Sequence, residues 1–383
     1  MRILVVAMCD SVHSARWLSQ FEDTEAKFVL FPATPHRRTH PIIRQVLRSE
    51  APFIEMRRLD VLLAIPLGLA DLVCANRLRG FRLRRLIRHG NFDFVHLLET
   101  QHAGYLFRSA MNRRQSPVPV ALSIWGSDLV WFERQKRHHR LISETLAHVN
   151  HLFIECLRDR ELALQFGYQG DFSEPIPASG GLHEMVNSHS EISLPSQRNA
   201  VVVKGYTGFV GRADVALAVL TDMEDSLRDF AIHFYSVSFV MWWKLKFARW
   251  RTGLDIRAYK KKSLSHEEVL SLFQTSRLSL ALSRSDGLSG SMREAAWTGS
   301  FPIESVGSCV CDWSPEGVGV LVVDPDIPAE IASAVTRALQ DDALVDGAVE
   351  ANRNLVRRLG ADQVKAVARQ EYDRLMKLSL GSR

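Results

Sequence analysis

Over nearly the whole chain, short apolar runs rich in Val, Ile and Phe alternate with longer stretches of helical periodicity, and this alternation limits the fold most. It is the pattern of repeated βα units, which build parallel sheets. In the first half it predicts strands at Ile3–Ala7, Phe28–Phe31, Phe94–Leu98, Pro119–Ser123 and Leu152–Glu155, with helices including Ser14–Phe21, Ala103–Met111 and Leu141–Val149. A polar stretch, Asn187–Asn199, interrupts the pattern. It restarts with predicted strands near Ala200–Lys204, Ile232–Tyr235, Ser279–Ser283 and Val320–Val323, and helices near Ala213–Leu220, Glu267–Phe273, Ser291–Thr298 and Ala329–Leu339.

With 383 residues, 46% of them hydrophobic and 24% charged, the chain can fill two ordinary domains. The expected division is a first α/β domain at 1–188, a linker at 189–199, a second doubly wound domain at 200–360, and a closing helix at 361–383 with Val364, Ala368 and Leu375 on one face. In doubly wound sheets ligands bind beyond the carboxyl ends of the strands, so a cleft faced by the two halves is the expected site. The turn after the first predicted strand runs Met8-Cys-Asp-Ser-Val-His13 and contains no G-x-G-x-x-G, which argues against a nicotinamide dehydrogenase.

Lys and Arg number 48 against 43 Asp and Glu, a formal charge of +5. Much of the excess lies between Arg37 and His89, where Arg77, Arg79, Arg82, Arg84, Arg85 and Arg88 include pairs that share a helix face. Such a face either meets phosphates and anionic lipid headgroups or is a solvated surface. The apolar segment Val61–Ala75 is interrupted by Pro66, Gly68 and Asp71, and it falls short of the roughly 20 apolar residues that span a bilayer. It reads as half of a buried helix pair or as a peripheral membrane contact. The five cysteines are scattered, and Met1–Val6 reads as a strand rather than a secretory leader, so a reducing cytosol is the expected compartment. Cys309 and Cys311 lack the partners of a zinc site.

The most informative passage is Ser283-Arg-Ser-Asp-Gly-Leu-Ser-Gly-Ser-Met-Arg-Glu294, in which a strand end, a Gly/Ser loop and a helix start follow one another. That order aims unpaired amides and the positive end of a helix dipole at a ligand, which suits a diphosphate. Asp286 and Glu294 bracket the loop, and carboxylates accept hydrogen bonds from sugar hydroxyls. A second passage, Val201-Val-Val-Lys-Gly-Tyr-Thr-Gly-Phe-Val-Gly-Arg212, runs from a strand into a loop flanked by Lys204 and Arg212, cations that can stabilise a departing pyrophosphate.

The first of these passages resembles the E-x7-E signature of the retaining group 1 glycosyltransferases, whose fold is GT-B. The spacing is kept and Asp286 replaces the first Glu, while Glu294-Ala-Ala-Trp-Thr-Gly-Ser-Phe-Pro-Ile303 is similar to the family's E-A-x-x-x-G-x-P-[VI] run with one residue added before the Pro. The resemblance implies that Asp286 meets the donor sugar, that Glu294 binds the ribose, and that Gly287, Leu288, Ser289, Gly290 and Ser291 meet donor oxygens, with Gly205 in the neighbouring loop. Lys204 and Arg212 look like the family's Arg and Lys in exchanged order. Asp10, Ser11, His13 and Arg16 resemble its acceptor-side loop, and Trp125-Gly-Ser-Asp128 resembles its H-G-x-D turn with Trp in place of His. Asp128 then becomes the nearest polar candidate for catalysis, with His13 or His96 as substitutes for the missing His.

These readings imply two Rossmann-like domains and transfer of a sugar, with retention, from a UDP- or GDP-linked donor to a hydroxyl of a glycan, glycolipid or other acceptor. No cofactor, metal or nucleic acid is expected, and Asp324-Pro-Asp326 is read as a chance D-x-D. The arginine-rich segment suggests an acceptor that is anionic or lipid-linked, as in surface polysaccharide, O-antigen or glycolipid synthesis, and peripheral contact with an anionic membrane at its cytoplasmic face. The competing readings are a non-catalytic protein of the same fold and a basic module that binds membrane or nucleic acid.

Overall fold

The structure, a computed structural model, describes residues 1–35, 38–74, 76–112, 114–182, 193–208 and 210–381. The chain divides into two compact units, Met1–Gly181 with Ala361–Arg383 and Leu182–Gly360.

In the first unit seven parallel strands form one sheet: β1 (Arg2–Ala7), β2 (Lys27–Pro32), β3 (Ile54–Glu55), β4 (Phe94–Leu98), β5 (Val120–Ser123), β6 (His151–Phe153) and β7 (Asp171–Phe172), in the order β3-β2-β1-β4-β5-β6-β7. The central strands are buried along nearly their whole length, as their continuous apolar runs require when helices cover both faces. One face packs Leu4, Val6 and Leu97 under the helices Arg77–His89 and Tyr105–Met111. The other packs Ile3, Val5 and Phe94 against Trp17, Phe21 and the closing helix Ala361–Gly381.

That helix belongs to the first unit because Val364, Ala368, Tyr372 and Leu375 recur at helical spacing and are all buried there. The Tyr372 hydroxyl accepts from Trp17 Nε1 at 3.0 Å, and its ring stacks on Phe21 at 4.4 Å. Pro66 does not break the helix Arg58–Cys74, in which Gly68 lies so close to Pro35 that an added Cβ would sit 2.3 Å from the Pro35 Cβ. The arginine run is only partly a basic face. Arg79 is buried, donating to the Ala33 carbonyl and pairing with Asp71, and Arg82 pairs with Asp60, so two of the six cations turn inward to satisfy buried carboxylates.

The second unit holds six parallel strands, β8 (Ala200–Lys204), β9 (Ala231–Val237), β10 (Asp255–Lys260), β11 (Leu278–Ala281), β12 (Phe301–Ser305) and β13 (Leu321–Val323), in the order β10-β9-β8-β11-β12-β13. In both sheets the order reverses beside the first strand, between β1 and β4 and between β8 and β11, and these are the switch points where loops diverge to leave a crevice. Of the expected linker, 189–192 lie outside the described residues, and the expected boundary at 188 does too. Residues 193–199 are built into the second unit: Ser196 is held by Asp346, and buried Arg198 donates to the carbonyls of Ser193, Ser276 and Thr298.

Candidate functional site

At the switch point of the second unit, Lys204 ends β8 and the loop after β11 carries Asp286. The two meet, Lys204 Nζ donating to Asp286 Oδ2 at 2.8 Å. Lys204 is 13% exposed and Asp286 28%. Burial alone would lower the ammonium pKa, but the charge of Asp286, its hydrogen bond and the nearby Glu304 outweigh that and hold it above the usual lysine range. The sequence reading nominated Lys204 and Asp286 separately, and the fold makes them a pair.

The loop between Asp286 and the helix Gly290–Thr298 is fixed from below. Leu288 is buried among Met292, Val310 and Trp313, so its side chain anchors the loop and only its backbone can face a ligand. Ser289 caps the helix by accepting from the Met292 amide at 3.0 Å, and its hydroxyl donates to Glu304 Oε1 at 3.0 Å. The Ser291 hydroxyl shares a hydrogen bond with Tyr235 at 2.8 Å. The Gly287 amide donates to Asp286 Oδ1, which turns that carboxylate back over its own loop. Gly290 and Ser291 occupy the first turn, where amides have no intrahelical acceptor and the dipole favours an anion. Glu294 lies one turn further on, with its Oε1 3.6 Å from His266 Nδ1.

Two nominations in this unit change on inspection. The Gly205 amide donates to the Tyr235 carbonyl at 2.8 Å, and a Cβ on Gly205 would lie 2.5 Å from that oxygen. Gly205 is therefore required by close packing of β8 and β9 and has no amide to spare for a ligand. Arg212 does not join Lys204; it pairs with Asp326, which also takes a two-pronged contact from Arg284 at 2.7 and 3.0 Å. Asp324-Pro-Asp326 thus carries a carboxylate neutralised by two guanidinium groups.

Sequence reasoning missed Glu304. It is the next-to-last residue of the buried strand β12, is 1% exposed, and its pKa is pushed up to about 8, first by burial and then by Asp286, against the lowering effect of Lys204 and Ser289. The signal was present as a carboxylate inside the apolar run Phe301-Pro-Ile-Glu-Ser305.

In the first unit the carboxyl end of β4 runs into Glu99, whose φ of 86° is a strained conformation for a non-glycine residue. Its carboxylate accepts from the amides of Gln101 and His102 and from His102 Nδ1 at 2.9 Å, closing a π-helical turn at Thr100–Gly104. The hydrogen bond that His102 donates to Glu99 is the main reason the His102 pKa is raised. Asp10, from the loop after β1, contributes to the same field, so residues from both loops of this switch point act on one imidazole. The sequence did not single out Glu99 or His102.

Ser11 caps the helix Val12–Ser19, and His13 packs its ring on Trp125 at 5.2 Å. Arg16 lies on that helix, where its charge lowers the pKa of His40 after burial has done so. Asp128 is buried; its Oδ2 accepts from the amides of Thr100 and Trp125, so it shapes the two loops and is not placed to act on a substrate directly. Burial and the charge of Glu99 raise its pKa well above the ordinary aspartate value. His96 is likewise a core residue and not an acceptor-side one. It is fully buried, its Nδ1 lies 2.7 Å from the Tyr372 hydroxyl and its Nε2 2.9 Å from that of Ser123, and burial pushes its pKa down to about 3.

Comparison with known proteins agrees with this architecture. Residues 2–155 match the model of the Glycosyl transferase 4-like family. No curated protein matches the chain in sequence. Among solved structures, sucrose-phosphate synthase from Thermosynechococcus elongatus superposes with a TM-score of 0.70 at 11% identity, over 99% of this chain and 100% of that one. A glycosyltransferase from Rickettsia africae gives 0.71 at 11% identity, over 98% of each chain. Anabaena HepE in complex with UDP-glucose gives 0.67 at 12% identity, over 97% of this chain and 99% of that one. The fold is that of GT-B proteins, with two Rossmann-like α/β domains.

Proposed function

We propose that the protein is a glycosyltransferase that moves a sugar from a UDP- or GDP-linked donor to a hydroxyl acceptor with retention of configuration and without a metal. The Lys204–Asp286 pair, set beside the N-terminus of the helix that carries Glu294, is the observation that supports this most. A cation and first-turn amides are the groups a diphosphate needs, and the carboxylates beside them suit sugar and ribose hydroxyls. The presence of UDP-glucose in the HepE complex fits that donor class.

In this reading Lys204 and the amides of Gly290 and Ser291 hold the diphosphate as negative charge develops on it, Asp286 orients the sugar, and Glu294 meets the ribose. The bond from the anomeric carbon to the diphosphate oxygen breaks, the acceptor oxygen bonds to that carbon, and the acceptor's proton passes to the departing diphosphate. Asp10, Ser11, His13, Arg16 and Trp125 are assigned to the acceptor, which we take to be a glycan or glycolipid of surface polysaccharide or lipopolysaccharide synthesis. A galactosyltransferase of the lipopolysaccharide outer core shares the fold, with a TM-score of 0.65 at 11% identity over 96% of this chain and 98% of that one.

The test is thermal stabilisation by a panel of nucleoside diphosphates and nucleotide sugars, because a ligand that binds only the folded state raises the midpoint. One nucleotide should shift the wild type and fail to shift Glu294→Ala. Stabilisation by NAD or an oligonucleotide in place of every nucleotide sugar would overturn the assignment.

A further inference from the structure

The helix Phe239–Thr252, between β9 and the edge strand β10, is anchored to the second unit by one face only, through buried Met241, Leu245 and Ala248. On the opposite side Phe239, Val240, Trp243, Phe247 and Trp250 are between 56% and 78% exposed. At 3.6 residues per turn these five side chains fall within an arc of about 100°. They form one apolar stripe, and none of the five belongs to the buried core of the second unit. Lys246 borders the stripe on one side and Arg251 and Lys244 on the other, all exposed, and Lys260 from β10 lies 5.5 Å from the Phe239 ring. No Asp or Glu occurs from Phe239 to Leu254.

We propose that this helix is an interfacial element that lays its aromatic stripe into an anionic lipid surface. Trp and Phe favour the headgroup level of a bilayer, where an apolar ring is buried and flanking cations meet lipid phosphates. At 14 residues the helix is too short to cross a membrane, and among the described residues no helix is long and apolar enough to do so. A second copy of the chain is a poorer occupant, because it would set Lys244, Lys246 and Arg251 against their own like charges. A nucleic acid is also a poorer one, since the stripe is the convex side of a single helix and includes the aliphatic Val240. The first unit has exposed apolar residues of its own, Leu62, Leu69 and Val73 on the helix Arg58–Cys74. The proposal stands independently of the nucleotide-sugar assignment.

The experiment is flotation of the full chain with phosphatidylcholine vesicles, with and without about 30% phosphatidylglycerol. It compares wild type, a stripe variant (Trp243→Ser, Phe247→Ser, Trp250→Ser) and a first-unit variant (Leu62→Ser, Leu69→Ser, Val73→Ser). The wild type should float with the anionic vesicles, and its tryptophan emission should be quenched by brominated acyl chains. The stripe variant should lose at least about tenfold in partitioning while keeping its thermal midpoint. Four results would overturn the proposal: equal flotation of the stripe variant, loss of flotation in the first-unit variant alone, a wild-type dimer that the stripe variant dissolves without any vesicle binding, or oligonucleotide binding in place of vesicle binding.

Discussion

Glu304→Gln is the substitution that most directly tests the electrostatics of the second unit's switch point. The ordinary glutamate value of 4.5 is raised to about 8 by burial, and the side chain keeps a hydrogen bond from Ser289. For a carboxyl whose folded pKa is raised, the folded chain holds a proton that the unfolded chain releases. Stability from this group is then full below about 4.5, falls as pH rises to about 8, and is level above that. Each unit corresponds to about 1.4 kcal/mol, so between about pH 5.5 and 8 the wild type should lose on the order of 3 kcal/mol through Glu304. Gln keeps an acceptor for Ser289 and cannot ionise. Urea unfolding across this range should give wild-type and variant curves that converge at acid pH and separate as pH rises, the variant being the more stable. Nucleoside diphosphate affinity should also fall above pH 8 in the wild type alone, as a second negative charge appears beside Lys204. Parallel stability curves would refute the reasoning, because they would mean that Glu304 is ionised in the folded protein throughout.

Lys204→Met removes a charged hydrogen-bond donor worth about 1.5–3 kcal/mol, so calorimetric titration should show nucleoside diphosphate affinity lower by about 10- to 150-fold. Tyr372→Phe deletes the hydroxyl that serves both Trp17 Nε1 and His96 Nδ1 and should cost about 1–3 kcal/mol by denaturant midpoint; an unchanged midpoint would show that the closing helix docks through its rings alone. His102 should titrate above 6.5 by NMR, since its raised pKa comes first from Glu99, and Glu99→Gln should bring it down. The stabilisation from that pair is present below the ordinary histidine value and disappears as pH climbs through the raised one.

Long, strongly apolar elements were legible in the sequence. Phe94–Leu98 and Ala200–Lys204 form where they were expected, because their runs leave no competing pattern. The two-residue strands β3 and β7 are too short to carry a period, and β10 mixes Asp255, Arg257 and Lys260 with apolar residues as an edge strand can. β12 was hidden by Pro302 and Glu304, which argue against an interior strand, yet it pairs on both sides with β11 and β13. The closing helix was visible as amphipathic, but no local pattern ties Tyr372 to Trp17, 355 residues away. The candidate site followed the same division. Lys204, Asp286 and Glu294 could be named from loop chemistry, whereas the ion pair, the inward turn of Arg79, the core position of His96 and the strained backbone of Glu99 arise from tertiary packing.

The two sheets reverse their order at the same topological place, yet the loops there carry opposite chemistry. In the second unit Lys204 pairs with Asp286 at the switch point, the first turn of the helix Gly290–Thr298 follows in the same loop, and burial pushes the Glu304 pKa up to about 8. In the first unit Glu99 and buried Asp128 spend their oxygens on the amides of Thr100, Gln101, His102 and Trp125, which fixes a π-turn, and the Glu99 carboxylate raises the pKa of His102. If the fold alone set the chemistry, both crevices would prefer the same ligand. Lys204 is the last residue of β8, Asp286 lies five residues past β11 and Glu99 one residue past β4, so the difference is carried by strand ends and the loops that follow them. Placing a carboxylate at Lys204 would set it against Asp286 and buried Glu304, so it should lower the denaturant midpoint of the second unit as well as remove the proposed diphosphate affinity, whereas Lys204→Met should affect binding more than stability.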